Sequence, residues 1–525
     1  MGIGNVSYTK EDTDFILFYG NSFIIDKMPK GTRVIYPPKP IKGVADAGEA
    51  IEHAIEHPYG TKPFSKLLKR GMKVTIAFDD ISVPLPPMKK PDLRQVAIEL
   101  ILKKLKDKGI EDIRLISAIC LHRKMTKKEF EMVLGRRIVK SFYPERLYNL
   151  DAEDKENMVR IGETEQHAIV ETNRRVAESD LVVYININFV SMDGGHKSFA
   201  TGLANYATVR HTHNVDTLMK SRSYFDPEKS MLHHILDRQG KLIERHVKTF
   251  RLEMALNNDL FPKPLGFLSK RHYELTNSDK IKSKLLASVM PKIPKFLQRR
   301  IASGLRGNYE LIGAFAGDVE KVHKKIVEKN FRQYEVNVNG QSDILIGNVP
   351  DMSPYSVNSI LNPILFVCLF HGYFFNLYRN KPIVKKNGVM IAVHPLYEDF
   401  HKIHHPSYID FYENILTKTL DAKEIEKKYE RDFALNPEYI KLYRNSHAYH
   451  GVHPFYMWYW SCYCLSYIGK TIIVGAKSKR ALKILNFDHA KNISEAIEKA
   501  KAFLKKENPS ITFLRVPPIA TVKVR

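Results

Sequence analysis

Short apolar runs alternate along the chain with segments in which apolar residues recur every three or four positions. The apolar runs at 73–78, 113–121 and 181–187 predict buried strands, and the periodic segment 92–108 predicts an amphipathic helix. Strands that alternate with helices in this way are typical of parallel sheets covered by helices. The pattern therefore predicts an α/β fold with mostly parallel sheets flanked by helices.

A second set of apolar runs lies in the C-terminal part of the chain. Runs at 343–350, 388–395 and 470–476 predict further buried strands. The chain has 525 residues, which exceeds the roughly 250–300 residues at which a single hydrophobic core stops growing. We therefore expect an interdomain cleft and three parts: an N-terminal domain over 1–257, a basic insertion or linker over 258–309, and a C-terminal α/β domain over 310–525.

Polar residues and glycines follow the first three predicted strands. Asp80 comes after the first strand, His122 after the second, and Gly194 and Gly195 after the third. Ligands of parallel sheets gather at the carboxyl ends of the strands, so we expect these residues to meet at one site. Paired glycines let a backbone approach a ligand closely. Lys197 follows them, and its amine suits a phosphate contact or a covalent bond.

Three stretches in this part of the chain occur in the order FDDISVPLP (78–86), CLHRKMTKKEF (120–130) and GGHKSFATGLANYATVRHTH (194–213). In the same order, they resemble the D-x-T-R-P, G-x-H-R-x-x-T-x-x-E and S-G-G-x-K-x-x-x-P-G motifs of the nickel-dependent lactate racemase (LarA) family, the last followed by a distal histidine. The similarity continues at 161–183 and at 312–325. The chain therefore resembles a divergent member of that family.

The resemblance implies a racemase or epimerase of a small 2-hydroxy acid, a lactate-racemase-like isomerase that works by hydride transfer to a nickel pincer nucleotide. That cofactor is a pyridinium-3-thioamide-5-thiocarboxylic acid mononucleotide carrying nickel. By resemblance, Lys197 bonds the cofactor beside Gly194 and Gly195, and His213 binds the nickel. His122 is implied as a general acid/base, because histidine titrates near neutral pH. Asp80 is implied to position the substrate or cofactor. We expect one helix to lead from Lys197 back to His213.

Two family residues have no match in this sequence. The second acid/base histidine of the family falls on Ile187 by an ungapped count, and we expect His196 to take its place, with His211 as an alternative. The arginine that holds the substrate carboxylate in the family falls on Val83. The sequence therefore predicts retained cofactor anchoring and altered substrate recognition.

The net charge suggests an alternative function. The 82 Lys and Arg against 58 Asp and Glu give +24, and the segment 258–309 alone holds eleven basic and three acidic residues. Basic and apolar residues alternate there, which is typical of contact with anionic lipid or nucleic acid. The alternative is thus a catalytically altered homologue that binds an anionic partner, a membrane surface or a nucleic acid, at its periphery. An ordinary basic surface insertion has the same composition.

Histidines cluster in two short tracts, HKIHH (401–405) and HAYHGVHP (447–454). Imidazole clusters suit iron and other transition metals, so a second metal site is one interpretation of these tracts. Lining of the substrate pocket from the C-terminal domain is another. Polar and aromatic helix surfaces that bind no metal also collect histidines.

The cysteine count and the apolar stretches indicate the compartment. The four cysteines include no C-x-x-C pair, which excludes a zinc ribbon, a thioredoxin-type site and a disulfide scaffold. The first residues lack a basic segment followed by an apolar one, so we expect no secretory signal. The most apolar stretch, 360–377, contains Pro363 and His371 and predicts a buried helix rather than a membrane span. We therefore expect a cytoplasmic protein without an integral membrane span.

Overall fold

The apolar runs form strands that are mostly parallel. The computed structural model describes residues 4–83 and 86–525, and its strands in that part of the chain are β1 (Val6–Tyr8), β2 (Thr13–Gly20), β3 (Ser22–Met28), β4 (Arg33–Ile35), β5 (Val74–Phe78), β6 (Ile113–Ser117), β7 (Leu147–Asn149), β8 (Met158–Glu163), β9 (Ile169–Asn173), β10 (Leu181–Asn188), β11 (Thr249–Leu256), β12 (Leu311–Gly317), β13 (Glu335–Val338), β14 (Ser342–Pro350), β15 (Tyr378–Arg379), β16 (Val384–Val393), β17 (Lys470–Val474), β18 (Asp488–Ala490), β19 (Ile511–Leu514) and β20 (Thr521–Val524).

Helices connect and cover these strands. The α-helices are α1 (Ala47–Glu56), α2 (Phe64–Leu67), α3 (Leu93–Asp107), α4 (Lys127–Phe142), α5 (Arg174–Ala177), α6 (Tyr206–Val209), α7 (Val215–Lys220), α8 (Met231–Glu244), α9 (Asn277–Val289), α10 (Lys295–Gly304), α11 (Val319–Tyr334), α12 (Pro363–Val367), α13 (Pro406–Asp410), α14 (Ala422–Ile425), α15 (Arg431–Ala434), α16 (Pro437–Asn445), α17 (His453–Tyr459), α18 (Cys462–Tyr467), α19 (Lys479–Leu485) and α20 (Ile493–Leu504). Turns of π-helix follow at Ser198–Gly202, Cys368–Phe374, Phe411–Ile415 and Glu426–Glu430, and 3-10 turns at Pro227–Lys229, Lys263–Ser269, His272–Glu274, Met290–Lys292 and Pro354–Ser356.

The first sheet carries the loops that the sequence marks as functional. It has six strands in the order β12–β11–β10–β5–β6–β7, and all neighbours are parallel except β11 and β12. Every residue of β5 and of β10 is buried, as expected for central strands covered on both faces. The predicted α/β fold with mostly parallel sheets is confirmed.

The second sheet joins the two ends of the chain. Its nine strands include β14, β16, β17, β18 and β19 from the C-terminal part, together with β1 to β4 from the first 35 residues. β4 pairs with β19, and β2 pairs with β14. Conversely, β12 pairs with β11 of the first sheet. The division of the strands between the two sheets therefore differs from the predicted domains 1–257, 258–309 and 310–525. An edge strand forms its hydrogen bonds with the sheet that lies beside it, whichever part of the chain the strand comes from.

Two smaller sheets complete the strand pairing. β13, β20 and β15 form a parallel three-stranded sheet, and β8 and β9 form an antiparallel pair.

Local signals set the ends of the elements near the site. Asp92 accepts a hydrogen bond from the backbone N–H of Arg94 at the start of α3. Thr126 and Glu129 form a capping box at the start of α4. β6 ends at Ser117, earlier than the predicted 121, because the backbone turns at Cys120, which has φ of 47°. That turn directs His122 away from the strand.

The apolar stretch 360–377 forms α12 and the π-helical turn Cys368–Phe374, and nearly all of its side chains are buried. Among the helices of the described residues, none is long and apolar enough to cross a membrane.

Candidate active site

Loops of the first sheet and segments of the C-terminal part enclose a cavity of about 150 Å³. Lys197, His122 and His213 all line it. The facing wall consists of aromatic and aliphatic side chains, among them Tyr355, Tyr373, Leu369 and Trp460. The structure thus brings three of the sequence-predicted site residues to one cavity between the N-terminal and C-terminal parts of the chain.

The two glycines before Lys197 form a turn that no other residue fits. Gly194 and Gly195 have φ of 86° and 58°, in the left-handed region that favours glycine. A Cβ at Gly195 would lie 2.9 Å from the ring of His323, and one at Gly194 would meet the carboxylate of Glu253. The turn therefore packs directly on charged side chains, and this contact fixes where Lys197 enters the cavity.

A buried charged network lies beneath that turn. The Glu253 carboxylate, which is fully buried, accepts a hydrogen bond from the Gly195 N–H at 2.8 Å and lies 3.3 Å from His323 Nδ1. Arg251 forms an ion pair with Glu253 at 3.3 Å and donates to the Gly195 carbonyl. Burial alone would raise the pKa of Glu253, but His323 and Arg251 hold it below its ordinary value. The network keeps the turn in place through charge-assisted hydrogen bonds.

His323 and Asp318 lie in the stretch 312–325, which resembles the family in sequence. The structure places His323 on α11, against Glu253 and behind the glycine turn. Asp318 instead caps α11 by accepting a hydrogen bond from the Lys321 N–H. His323 is thus a supporting residue of the turn.

Lys197 ends in the cavity without a polar partner. Among the described residues, no hydrogen bond or ion pair engages its amine. Asp193 lies close to it, and the Lys197 charge offsets part of the burial that raises the pKa of Asp193. The hydroxyl of Thr201, which also lines the cavity, is buried with no hydrogen-bond partner. Thr201 belongs to the π-helical turn Ser198–Gly202, a geometry that is frequent at functional sites.

The chain returns from Lys197 to His213 by separate helical turns, so the expectation of one helix is wrong. Asn205 accepts a hydrogen bond from the Thr208 N–H and starts α6 anew after the π-helical turn. His213 follows α6, and its Nδ1 lies 2.9 Å from the Thr212 hydroxyl. The break in the helix lets the chain bend toward the cavity.

His213 is held as a neutral imidazole. Burial first, and then the nearby charges of Lys197 and His122, lower its pKa to about 3. The rings of Tyr456 and Trp460 pack around it with centroids at 5.3 and 5.4 Å. With Nδ1 turned to Thr212, the other ring nitrogen is available, and a neutral imidazole nitrogen is the form that binds a metal.

His122 is oriented by Asp80. Its Nδ1 lies 3.0 Å from Asp80 Oδ2, and the other oxygen of Asp80 accepts a hydrogen bond from the Ser82 N–H at 2.8 Å. The buried Arg94 donates to the carbonyl oxygens of Asp79 and Asp80. The side chain of His122 is 27% exposed and lines the cavity. Asp80 therefore acts through His122, since it fixes which nitrogen of that ring faces the cavity.

The structure does not bring His196 to the cavity. Its two ring nitrogens lie 3.0 Å from Asp237 and 3.0 Å from Glu244, both on α8. Burial lowers the pKa of His196, but the two carboxylates outweigh it and raise the pKa to about 9. The alternative, His211, accepts a hydrogen bond from the Ile169 N–H, and Ile187 is packed in the hydrophobic core.

One histidine near the site has no counterpart in the sequence motifs. The ring of His453, at the start of α17, lies 5.4 Å from that of His122. Its Nδ1 is 2.5 Å from the Tyr408 hydroxyl, and its buried Nε2 has no hydrogen-bond partner. The tract 447–454 was its only sequence signal, because the contact with His122 joins two distant parts of the chain.

The other histidine tract, 401–405, does not line the site cavity. The rings of His401 and His404 stack with centroids 3.6 Å apart, and His405 contacts Ser359 and Asn362. Within the described ranges, no three side chains of His, Cys, Asp or Glu are grouped so as to hold a metal ion. The two tracts therefore form no metal cluster in the described part of the chain. Their contribution to the site is His453, which packs against His122.

The first motif is only partly described. Val83, which stands where the family has an arginine, is buried and lines a different pocket, together with Arg299 and Arg300. Pro84 and Leu85 of the same motif lie outside the described residues.

The N-terminal part of the chain is similar in sequence to known proteins. Residues 19–225 match the model of the lactate racemase N-terminal domain. The lactate racemases of Thermoanaerobacterium thermosaccharolyticum and Lactiplantibacillus plantarum are each 25% identical to this chain, over 170 and 171 residues. These matches cover 31% and 32% of this chain but only 38% of each relative.

Two solved structures share the fold. The lactate racemase apoprotein of T. thermosaccharolyticum aligns with a TM-score of 0.64 at 18% identity, over 98% of this chain and 100% of that chain. A protein from Thermotoga maritima aligns with a TM-score of 0.52 at 15% identity, over 91% of this chain and 98% of that one. At these identities the likeness concerns the fold alone.

Proposed function

Since residues 19–225 match the lactate racemase N-terminal domain in a chain with the lactate racemase fold, the protein is a divergent LarA-like protein, and we propose that it racemises or epimerises a 2-hydroxy acid. The observation that carries this proposal is the meeting of Lys197, His213 and His122 at one cavity. The three residues come from separate segments of the chain, so it is the fold that brings them together. Their side chains are an amine and two imidazoles, which suit the roles that the motifs imply.

The side chains at the cavity fit a nickel pincer nucleotide. Lys197 offers an amine that no described residue engages, and His213 offers a neutral imidazole nitrogen. The turn Gly194–Gly195 has no room for side chains, and Thr201 has a buried hydroxyl without a hydrogen-bond partner among the described residues. Lys197 would tether the cofactor and His213 would bind its nickel. The chemistry that this group would supply when bound is reversible hydride transfer with the carbon that bears the hydroxyl.

The chain itself handles the proton of the substrate hydroxyl. Asp80 holds Nδ1 of His122, so Nε2 of that ring faces the cavity and accepts the proton as the hydride leaves. The same nitrogen returns the proton when the hydroxyl reforms. The carboxylate stabilises the charged ring while it holds the proton, as in other histidine–carboxylate pairs.

The facing wall keeps water away from the reacting atoms. Tyr373, Trp460 and Leu369 line the cavity opposite Lys197, and all three are buried. The hydroxyls of Tyr355 and Tyr373 bond to each other at 2.7 Å. A wall of this kind strengthens the electrostatic interactions of His122 and Lys197 by excluding solvent.

Intact mass and metal content test the proposal. Protein produced together with the enzymes that make the cofactor should carry a mass adduct and nickel, and Lys197→Ala should remove both. Lys220→Ala is the matched control, because Lys220 lies on the surface in an ion pair with Asp216. Absence of a Lys197-dependent adduct together with absence of nickel would exclude the cofactor chemistry.

A second candidate function rests on α9 and α10. Ile281, Leu285 and Val289 are spaced four residues apart on α9, and their side chains are 67%, 61% and 45% exposed. Phe296 on α10 is 68% exposed. An apolar stripe at this spacing forms one face of a helix. If the protein binds an anionic partner, this face and the exposed basic residues around it are the surface that we expect to bind it.

The mixture of side chains favours an anionic membrane over a nucleic acid as that partner. Lys280, Lys282, Lys284 and Lys292 are exposed and form no ion pair in the part of the chain that the structure describes. Lysines attract anionic lipid headgroups, and the apolar stripe enters the interface between headgroups and acyl chains. A phosphate backbone offers nothing to the apolar side chains.

Vesicle cosedimentation tests the second candidate. Binding should be stronger to phosphatidylserine-containing vesicles than to phosphatidylcholine vesicles, and it should weaken with salt. The double change Ile281→Ser and Leu285→Ser should reduce it, whereas Ile403→Ser, an exposed site elsewhere, should not. Equal binding to both vesicle types, or binding of nucleic acid that survives the double change, would exclude this surface as a membrane contact.

A further inference from the structure

We infer that the substrate is an amphiphilic 2-hydroxy acid with a long apolar chain, which lies in a second cavity between the site and helices α9 and α10. The inference deepens the proposed function and rests on it. Three observations carry it: the composition of the second cavity, the residues that it shares with the site cavity, and the apolar lining of the site itself.

The second cavity is almost entirely apolar. Its volume is about 140 Å³, and Phe18, Phe23, Leu265, Leu286 and Ile301 are among the side chains that line it. Asn21 and Gln298 are its only polar side chains in the described residues, and no charged one lines it there. Apolar cavities of this size stay free of water and bind apolar ligands. A hydrocarbon chain matches this lining, whereas a polar substituent would lose its hydration without gaining a hydrogen bond.

The second cavity and the site cavity share lining residues. Pro350, the last residue of β14, and Met352 line both cavities. Met352 is an unbranched and flexible side chain, so it moves aside at low cost. Movement of this side chain would join the two cavities for a ligand whose polar end lies at His122.

The site cavity also favours a ligand with an apolar body. Beyond Lys197, His122 and His213, much of its lining is hydrocarbon, including Leu377 and Ile519. The family arginine that would grip a small carboxylate is Val83 here. Among the described residues that line the cavity, Lys197 is the only lysine or arginine and is assigned to the cofactor, so a short acid such as lactate lacks an ion pair for its carboxylate and its binding energy has to come from another part of the ligand. An extended apolar chain supplies it.

The outer end of the second cavity lies under the surface helices. Leu286 of α9 and Ile301 of α10 line the cavity, while Leu285, the neighbour of Leu286, is 61% exposed. The two leucines therefore mark the inner and outer faces of one helix. An amphiphile that approaches the exposed apolar face has a short path into the cavity.

A chain-length series measures the proposed ligand contact directly. Isothermal titration calorimetry on the protein without cofactor would compare 2-hydroxy acids from 2-hydroxybutanoate to 2-hydroxyhexadecanoate. Each added methylene should lower the Kd about fourfold until the cavity is filled. Leu286→Trp fills part of the cavity, so it should cut the affinity for the longest acids at least tenfold and leave the shortest unchanged.

Matched variants separate the cavity from the surface. Leu285→Trp adds the same side chain on the exposed face and should leave the series unchanged. Ala302→Phe narrows the cavity from α10 and should repeat the effect of Leu286→Trp, which guards against a folding defect in either variant. Circular dichroism and thermal unfolding would check that both variants are folded.

The outcomes distinguish this inference from the proposed function. A Kd that does not depend on chain length, or a dependence that Leu286→Trp and Ala302→Phe both leave intact, would overturn the inference while the Lys197 adduct still stands. Long-chain binding without any Lys197-dependent adduct would overturn both, because the cavity would then serve a carrier. Chain-dependent binding that both cavity variants reduce, in a protein that forms the adduct, is the expected result.

Discussion

The two sides of the site cavity keep their shape by opposite means. The floor is the turn Gly194–Lys197 with the charged side chains beneath it: Arg251, Glu253, His323, His196, Asp237 and Glu244. The aromatic wall faces it: Tyr355, Tyr373 and Trp460 line the cavity, and His453 packs against Tyr355 and Tyr449 next to them. Directional ion pairs fix one backbone turn and one lysine, whereas packed rings exclude water and tolerate small shifts. We therefore expect the floor to be sensitive to charge and the wall to volume.

The strongest effect is expected where the two sides meet, at His122, which bonds to Asp80 and packs against His453. His122→Asn should lower the rate of racemisation in cofactor-loaded protein about 10²- to 10⁴-fold, since it removes the acid/base. The Lys197-dependent mass adduct should be retained. His246→Asn, at an exposed position, is the control. A fall in rate that only follows loss of the adduct would show that His122 supports the fold and not the proton transfer.

A charge removed from the floor should cost more stability than one removed from the surface. Glu253→Gln leaves Arg251 fully buried without its carboxylate and should lower the free energy of unfolding by about 3–5 kcal/mol. Glu320→Gln, which breaks the exposed pair with Lys241, should cost less than about 1 kcal/mol. Urea unfolding measures both. Similar losses in the two variants would contradict the role given to the floor.

The turn Gly194–Lys197 and His122 were predictable from the sequence, whereas the side chains beneath the turn and the aromatic wall were not. Lys197 and His122 lie just beyond strands of one parallel sheet. The apolar runs predict these strands, and the carboxyl ends of parallel strands meet at one edge of the sheet, which brings the two residues together. His453 reaches His122 only through the packing of α17, which no local pattern specifies. The division of the strands between the sheets also differs from the predicted domains. The first four strands pair with strands near the C-terminus, and neither segment has a sequence pattern that indicates its partner. Local signals such as the Thr126–Glu129 capping box can be recognised in the sequence, since they depend on four adjacent residues.

The floor and the wall should respond to pH in opposite directions. The carboxylates of Asp237 and Glu244 raise the pKa of His196 to about 9, although burial opposes this. Its pairing therefore stabilises the fold fully below the unfolded pKa of about 6.5 and is lost as pH rises toward 9. The loss should be on the order of 2 kcal/mol, after allowance for the half-exposed Asp237. Unfolding measured from pH 6.5 to 9.5 should show this decline, and His196→Gln should remove it.

On the wall the sign reverses. Burial, followed by the neighbouring His122 and His405, lowers the pKa of His453 far below its ordinary value. The unfolded state then binds more protons below about pH 6.5, so stability falls as the pH decreases. His453→Gln should make this acid limb shallower and leave the alkaline decline intact, while the lowered pKa values of the buried His213, His371 and His405 keep part of the acid limb. If the variant instead flattened the alkaline limb, the assignment of the two limbs to the two sides would be wrong.

The smallest effect is expected at the hydroxyl pair on the wall. The Tyr355 and Tyr373 hydroxyls bond to each other at 2.7 Å, and both residues are buried beside the cavity. Tyr373→Phe leaves the Tyr355 hydroxyl without this partner and should cost about 1 kcal/mol, as should Tyr355→Phe. The double variant removes both hydroxyls and keeps the rings, so it should cost little more than either single change. Denaturant unfolding of the four proteins gives the coupling energy. Additive losses would mean that each hydroxyl has another partner, and the wall would then depend on polar contacts as the floor does.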